Sequence, residues 1–325
     1  MAGKRKRGTD PLFIVLLCLL VMIIAGLTTG YLYMKEKYAG DAIAYSRQAV
    51  RELEEGSFEY TLAKRFYSDE QWDSIRNNTA PEKKEQTYVS EDGNPIEIVH
   101  ICGSTYEGYM MLVHDPKLVK VAVNPNMDNG RQAPSLEDYV RMNNAIGGIN
   151  AGGFMDAGGT GNGGLAWGIV IHDGKLISGN MNEYLPIIGI DDTYNLYCVD
   201  ATAKDALSWG IQEAVTFGPV FLRNYEVVFK KGQGDYPMLN PRTGIGQASD
   251  GTFLLLTIDG RGPSSFGSLY EDVVEEFQRF DAVNAANLDG GNSTAMIYNG
   301  EYVNTTVSMY GSRHLPTVFV VMEDK

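Results

Sequence analysis

Apolar positions follow a different rule in each of three stretches of this chain. From Leu12 to Leu27 nearly every residue is apolar, and the run continues through Thr28, Thr29 and Gly30 to Tyr31, Leu32, Tyr33 and Met34. About 20 residues at 1.5 Å each span a hydrocarbon core of about 30 Å, and Tyr31 and Tyr33 fall where an interfacial aromatic belt lies. From Lys35 to about Asn94 the chain is polar and charged, with only a weak helical stripe of Ala42, Ala44, Ala49, Val50 and Leu53. That pattern predicts a solvated, partly helical stalk, with one helix through Glu55 ended by Gly56, a second around Tyr60 to Ile75, and a looser stretch over 77–92.

After Pro95 the period shortens. Residues 96–101, 109–113 and 118–123 are short β-branched or aromatic runs broken by Gly, Asp-Pro and Asn-Pro, which mark strands. Asp173-Gly174 and Asn299-Gly300 each sit between two such runs and predict tight hairpins needing positive φ. Ser135 with Asp138, and Ser268 with Glu271, form capping boxes before helical stripes. Two or three helices among roughly ten strands make residues 95–325 an α+β domain, with a mixed sheet. Preceding it are a basic head with its apolar span (1–34) and the stalk (35–94).

Charge then narrows the function. The 325 residues carry 27 Lys and Arg against 41 Asp and Glu, a net charge of −14, so no basic face is available and nucleic acid is excluded as a partner. Lys4, Arg5, Lys6 and Arg7 cluster just before the apolar run. Cationic flanks stay cytoplasmic, so the sequence predicts a single-pass membrane protein whose bulk lies outside the cytoplasm, anchored through residues 12–34. A cleaved signal peptide has the same opening, but here the apolar run is long and no small-x-small site precedes Lys35; a buried core helix would show a polar stripe. Cys102 and Cys198 form one disulfide or remain buried thiols, since sequence does not place their Cα atoms.

Four segments can carry chemistry. Residues 147–154 (GGINAGGF) open a glycine-rich stretch that either loops flexibly or lets backbone N–H groups approach an anion; its G-x-G-x-x-G at 159–164 is not followed by a helix, which excludes a dinucleotide fold. Pro241-Arg242-Thr243 places a guanidinium before a strand, suited to clamp a phosphate or to pair structurally. The runs 254–258 and 284–288 each end in Asp-Gly, at Asp259 and Asp289. With a capped helix between them, the two strands are expected to be parallel neighbours, which puts both carboxylates at one sheet edge.

Together, residues 149–154, Phe217-Gly218-Pro219, Pro241-Arg242-Thr243 with Ile245-Gly246, Ile258-Asp259-Gly260-Arg261 and residues 287–291 closely resemble the phosphodiester glycosidase family, over roughly residues 96–322. The resemblance implies a mixed α/β domain that hydrolyses a sugar-1-phosphodiester, with bacterial relatives often associated with exopolysaccharide or envelope glycans. The chain departs from the family at Met155, where a second Phe is usual, and at Asn292, where Ser is usual.

A phosphomonoester leaves more readily than an alcohol, so such a reaction needs neutralisation of the phosphate and a carboxylate beside the developing oxocarbenium ion more than a strong general acid. Arg242 is the candidate clamp, assisted by the backbone of Gly152 and Gly153. Asp289 is the first candidate carboxylate and Asp259 the second. Asn150 and Arg261 would orient the sugar or phosphate, with Gly290, Gly291 and Asn292 lining the substrate. The sequence requires no cofactor and names no protein partner; the partner it implies is a glycan phosphodiester. Two other readings stand beside this one: a metal-dependent phosphodiesterase with a divalent cation on Asp259 and Asp289, assisted by His172 or His314, and a non-catalytic glycan-binding or assembly module using Trp167, Trp209 and Tyr residues as sugar platforms.

Overall fold

The computed structural model describes residues 11–39, 50, 53–67, 69, 72, 94–156, 161–230, 238–309 and 311–323. The chain divides into two units, Met1–Thr79 and Ala80–Lys325.

In the first unit, α1 (Pro11–Ala39) is a 29-residue helix. The basic head, residues 4–7, and the side chains of residues 12–18 lie outside the described residues, and among the described residues no helix is long and apolar enough to cross a membrane. Leu19 to Ile24, Leu27 and Leu32 are exposed on α1. The helix predicted around Tyr60 begins earlier, as α2 (Phe58–Lys64), because the Ser57 hydroxyl accepts the Tyr60 N–H at 3.0 Å and caps it. The expected solvated spacer has a small core of its own: Val50, Ala63 and Trp72 are buried, with Met34, Leu53, Tyr60, Phe66 and Tyr67 packed on them. Tyr31 packs edge-on against Phe66 at 5.6 Å. The looser stretch expected over 77–92 lies outside the described residues.

The second unit is the expected sheet-rich α+β domain with few helices. In chain order its strands are β1 (Ile96–Cys102), β2 (Glu107–Val113), β3 (Val119–Val123), β4 (Ala145–Asn150), β5 (Val170–His172) and β6 (Lys175–Ser178). Next come β7 (Tyr184–Asp191), β8 (Leu196–Thr202), β9 (Ile211–Val215), β10 (Val220–Arg223), β11 (Glu226–Val227) and β12 (Arg242–Ala248). Then follow β13 (Phe253–Ile258), β14 (Ala282–Leu288), β15 (Met296–Tyr298), β16 (Glu301–Tyr302) and β17 (Thr317–Met322). They form three antiparallel sheets, ordered β1-β2-β13-β12-β14-β10-β11, β16-β15-β4-β17-β3 and β6-β5-β9-β7-β8.

All three sheets share one central core. Ile245, Leu255 and Leu288 from the first, Ile149 and Phe319 from the second, and Ile188 and Val215 from the third meet there. Each sheet's outer face takes one helix: α5 (Tyr270–Arg279) on the first, α3 (Leu136–Met142) on the second and α4 (Ala203–Ser208) on the third. Strand β13 is therefore buried at all six positions and reads as a continuous apolar run instead of an alternating one. Phe277 of α5 lies so close to β12 that a Cβ at Gly244 or Gly246 would come within 2.9 Å of its ring.

Two local expectations shift. β13 and β14 run in the same direction but are not neighbours; β12 lies between them, antiparallel to both. Only half of the second capping box forms, one residue later: Asp272 accepts the Leu269 N–H at 2.8 Å, while Leu269 has no side-chain acceptor to return, because Ser268 is held in a β-bridge with Asn240. Thr202 caps α4, with Asp205 as its capping-box partner. Both predicted hairpin turns form, with φ of 49° and 66° at Asp173-Gly174 and 52° and 80° at Asn299-Gly300. Cys102 is exposed and Cys198 buried, and both are free thiols; burial pushes the Cys198 thiol up to about 12.

Candidate active site

Strands β4 and β14 end side by side, and Asn150 ties them together. Its amide nitrogen donates to the Asp289 carbonyl, while its oxygen accepts the Thr243 hydroxyl at 2.9 Å and the Ala295 N–H at 3.1 Å. The Asp289 N–H in turn donates to the Ala151 carbonyl at 3.0 Å. Asn150 is 0% exposed, so the residue expected to orient substrate spends its amide on three protein groups. Its work is to fix where the Asp289 carboxyl points.

That carboxyl has the character of a reactive group. Its Oδ2 is buried and has no hydrogen-bond partner among the described residues. Burial pushes Asp289 up to about 6; the Ser293 hydroxyl, Arg313 and the Gly290 N–H oppose this, and the Asp156 charge adds to it. A carboxylate held near neutrality in this way suits acid, base or nucleophile work.

Arg313 and Asp156 supply the other charges, and neither was singled out in the sequence. Arg313 donates from Nη1 to Asp156 Oδ2 at 2.6 Å and from Nη2 to Asp156 Oδ1 at 3.0 Å and the Gly161 carbonyl at 3.2 Å. Its guanidinium carbon sits 4.7 Å from the centre of the Phe154 ring. The Arg313 guanidinium holds the Asp156 carboxyl below the usual range. Asp156 was hidden inside a stretch read for its glycines, and Arg313 in a short polar segment before β17.

The sequence-predicted residues separate into three groups. At the Asp289 turn, Gly291 has φ of 60° and its N–H donates to the Pro241 carbonyl at 2.9 Å, and a Cβ at Gly290 would meet that carbonyl at 2.9 Å. Beside them the exposed Arg261 donates to Asn292 at 2.5 Å and to Asn240 at 2.9 Å. Arg261 is a non-glycine residue at φ 59°, a backbone cost of roughly 1 kcal/mol or more that its two amide partners offset.

Asp259 lies at the same end of the first sheet as Asp289, as expected, because β13 and β14 share a direction. Its carboxylate, 8% exposed, accepts Asn304 Nδ2 and the Thr305 N–H at 3.1 Å. It anchors the segment after β16, and burial raises its carboxyl.

Arg242 turns the other way. It is 4% exposed and donates to the carbonyls of Ser268 at 3.2 Å and Met238 at 2.8 Å, with its guanidinium 4.1 Å from the Tyr270 ring centre. The alternation of β12 puts Thr243 toward Asn150 and Arg242 toward α5. Gly152 and Gly153 likewise serve packing: their N–H groups donate to Thr317 Oγ1 at 3.0 Å and the Thr216 carbonyl at 3.3 Å, and a Cβ on Gly152 would lie 3.0 Å from Val215 Cβ. The anion-binding glycine backbone expected there is thus occupied.

Away from this site, His172, Asp173 and Glu213 place three ligand-type atoms within 4.8 Å of one another. His172 Nδ1 and Glu213 Oε2 are 2.8 Å apart. His314 Nε2 lies 2.5 Å from the Gln132 amide.

Residues 143–322 match the phosphodiester glycosidase family. A stretch of 70 residues, 22% of this chain, is 40% identical to YomE, an uncharacterized protein derived from the SPbeta prophage of Bacillus subtilis, and spans 11% of that relative's length. The fold is similar to the catalytic domain of zebrafish N-acetylglucosamine-1-phosphodiester alpha-N-acetylglucosaminidase auto-inhibited by its pro-peptide, with a TM-score of 0.60 and 20% identity over 74% of this chain and 87% of that one. A protein of Burkholderia pseudomallei follows at a TM-score of 0.49 and 16% identity, over 67% of this chain and 74% of the other.

Proposed function

The chain belongs to the phosphodiester glycosidase family, and from that premise we propose that it hydrolyses the glycosidic bond of a sugar-1-phosphodiester on an envelope or exported glycan. The observation that carries the reading is the Asp289 carboxyl, with a buried oxygen lacking any partner among the described residues and a guanidinium bearing on it.

The bond to be broken joins the anomeric carbon to a phosphate oxygen. Asp289 either attacks that carbon, giving a glycosyl ester that water then hydrolyses to free sugar, or takes a proton from a water that attacks directly. In both, the bonding electrons of the broken C–O bond leave with the phosphate as a phosphomonoester. Arg313 offers planar N–H donors and a fixed positive charge where that negative charge collects. Arg261, on the rim of the same turn, meets the anionic part of the substrate as it enters. The clamp role thus moves from Arg242 to Arg313.

Anchoring belongs to the same proposal. The basic head before an apolar run from Leu12 to Met34 and the exposed Leu, Ile and Val side chains of α1 support a membrane-held chain with its catalytic unit outside the cytoplasm.

The test is turnover by the full-length chain in detergent on a panel of sugar-1-phosphodiesters, with products read by NMR. Free sugar plus phosphate retained on the acceptor is the expected result. Phosphate left on the sugar would mean phosphoryl attack, and binding without turnover would mean a glycan-binding module; either defeats the reading.

A further inference from the structure

Asp156 sits on the segment that follows β4 and returns over its own start. Phe154 bridges Ala166, the Met155 N–H donates to the Leu165 carbonyl at 3.2 Å, and the Trp167 N–H donates to the Gly153 carbonyl at 2.8 Å. Within it, Asp156 Oδ1 accepts the Gly161 N–H at 2.7 Å, so the carboxylate is itself held in place before it meets Arg313. Arg313 is fixed from behind as well. Ser312, its chain neighbour, donates its N–H to the Tyr302 hydroxyl and its own hydroxyl to Glu137 at 3.1 Å. A guanidinium on a flexible stem loses rotamer freedom whenever it is fixed; here two bonds from one carboxylate, the Phe154 ring and the braced Ser312 meet that requirement before any substrate arrives.

Resting on the functional reading above, we propose that Asp156 is a positioning residue of the reaction, which orients the Arg313 guanidinium against the leaving phosphate and sets the electrostatic environment of Asp289. Arg313, from the segment before β17, and Asp156, from the segment after β4, both bear charge on Asp289. Their effects are opposed, Arg313 favouring the carboxylate and Asp156 the acid. The pair therefore delivers a cation to the phosphate without drawing Asp289 down to an ordinary carboxylate.

The test uses the full-length chain with Asp156→Asn and Asp156→Glu. Three readouts are taken: kcat and KM on a cleaved sugar-1-phosphodiester, the pH profile of kcat/KM, and the titration of the Asp289 carboxyl by 13C NMR, which needs no turnover. Asp156→Asn is expected to lower kcat by about tenfold or more. It should also move both the acid limb and the Asp289 titration to lower pH, and Asp156→Glu should restore them. Unchanged kcat and unchanged titration overturn the proposal. So does a loss of kcat that follows a lowered Tm while the Asp289 titration stays put, since that is a purely structural effect. A wild-type chain that cleaves no sugar-1-phosphodiester instead defeats the functional reading, and the NMR titration still decides whether Asp156 governs Asp289.

Discussion

The Thr243 hydroxyl donates to the Asn150 amide oxygen across 2.9 Å, from β12 of one sheet to the end of β4 in another, and both residues are fully buried. Through that bond the first and second sheets are joined directly beneath Asp289. Asn150→Ala leaves the Ala295 N–H without its acceptor and the Asp289 carbonyl without its donor, and leaves the Thr243 hydroxyl only the longer bond to Thr294 at 3.3 Å. The expected loss is roughly 2 to 4 kcal/mol of stability, read as a lowered urea midpoint. Asn150→Asp should do similar harm, because it introduces a buried charge facing the Asp289 carbonyl.

Asp289 should be costly to keep charged. Its carboxyl is raised from 3.8 to about 6, so the folded chain binds that proton more tightly than the unfolded chain. The stability it contributes is fully present below about pH 4 and is lost as pH rises through 6. Asp289→Asn is therefore expected to lower turnover by several orders of magnitude, and yet to raise stability at pH 7 to 8 by on the order of 3 kcal/mol. Below pH 4 the stabilisation should vanish. Chemical denaturation of both proteins at pH 4 and pH 8 checks the sign, and wild-type kcat/KM should fall as the pH drops below about 6.

The strands after Pro95, both hairpin turns and the first capping box were legible because they depend on residues close in sequence. The strand-end carboxylates were legible too, since Asp-Gly after a buried strand has a fixed direction. What the sequence left out was lateral order. No local signal places β12 between β13 and β14, and the strand-helix-strand rule favours neighbours. The choice of arginine was obscured for a related reason: Arg242 and Thr243 are adjacent, and only the position of α5 decides which face of β12 is the core and which holds the site. Asp156 and Arg313 are 157 positions apart, and long-range pairing of that kind leaves no trace in one sequence.

The three arginines should separate experimentally. Arg242→Lys loses bonds to two carbonyls and the contact with Tyr270, so it is expected to cost roughly 1 to 3 kcal/mol of stability with KM unchanged. Arg261→Ala should raise KM, and it should also cost roughly 1 kcal/mol of stability, since the positive φ remains while the two amide bonds that offset it are lost. Arg313→Lys keeps the charge but loses the planar fork, and kcat should fall by about tenfold or more. Steady-state kinetics beside thermal melts of the three variants distinguish these patterns; an Arg242 variant that melts normally but binds substrate poorly would return the clamp to Arg242.

A second pH dependence lies in the third sheet. His172 is half-buried and its Nδ1 is 2.8 Å from the carboxylate of Glu213, with Asp173 Oδ2 3.7 Å from Nε2. The bond to Glu213 raises the imidazole above 6.5, while burial and Lys120 oppose it. A raised histidine stabilises the fold fully below its unfolded value and ceases to do so as pH climbs through the folded one. Glu213, raised by burial, acts in the same direction. Stability should therefore decline by roughly 1 kcal/mol as pH rises from about 6.5, and His172→Gln should flatten that decline without touching turnover, because the group lies outside the Asp289 site. Urea titrations at pH 6 and pH 8.5 on both proteins measure it; a wild-type slope equal to that of His172→Gln would show that the imidazole titrates alike in the folded and unfolded chains.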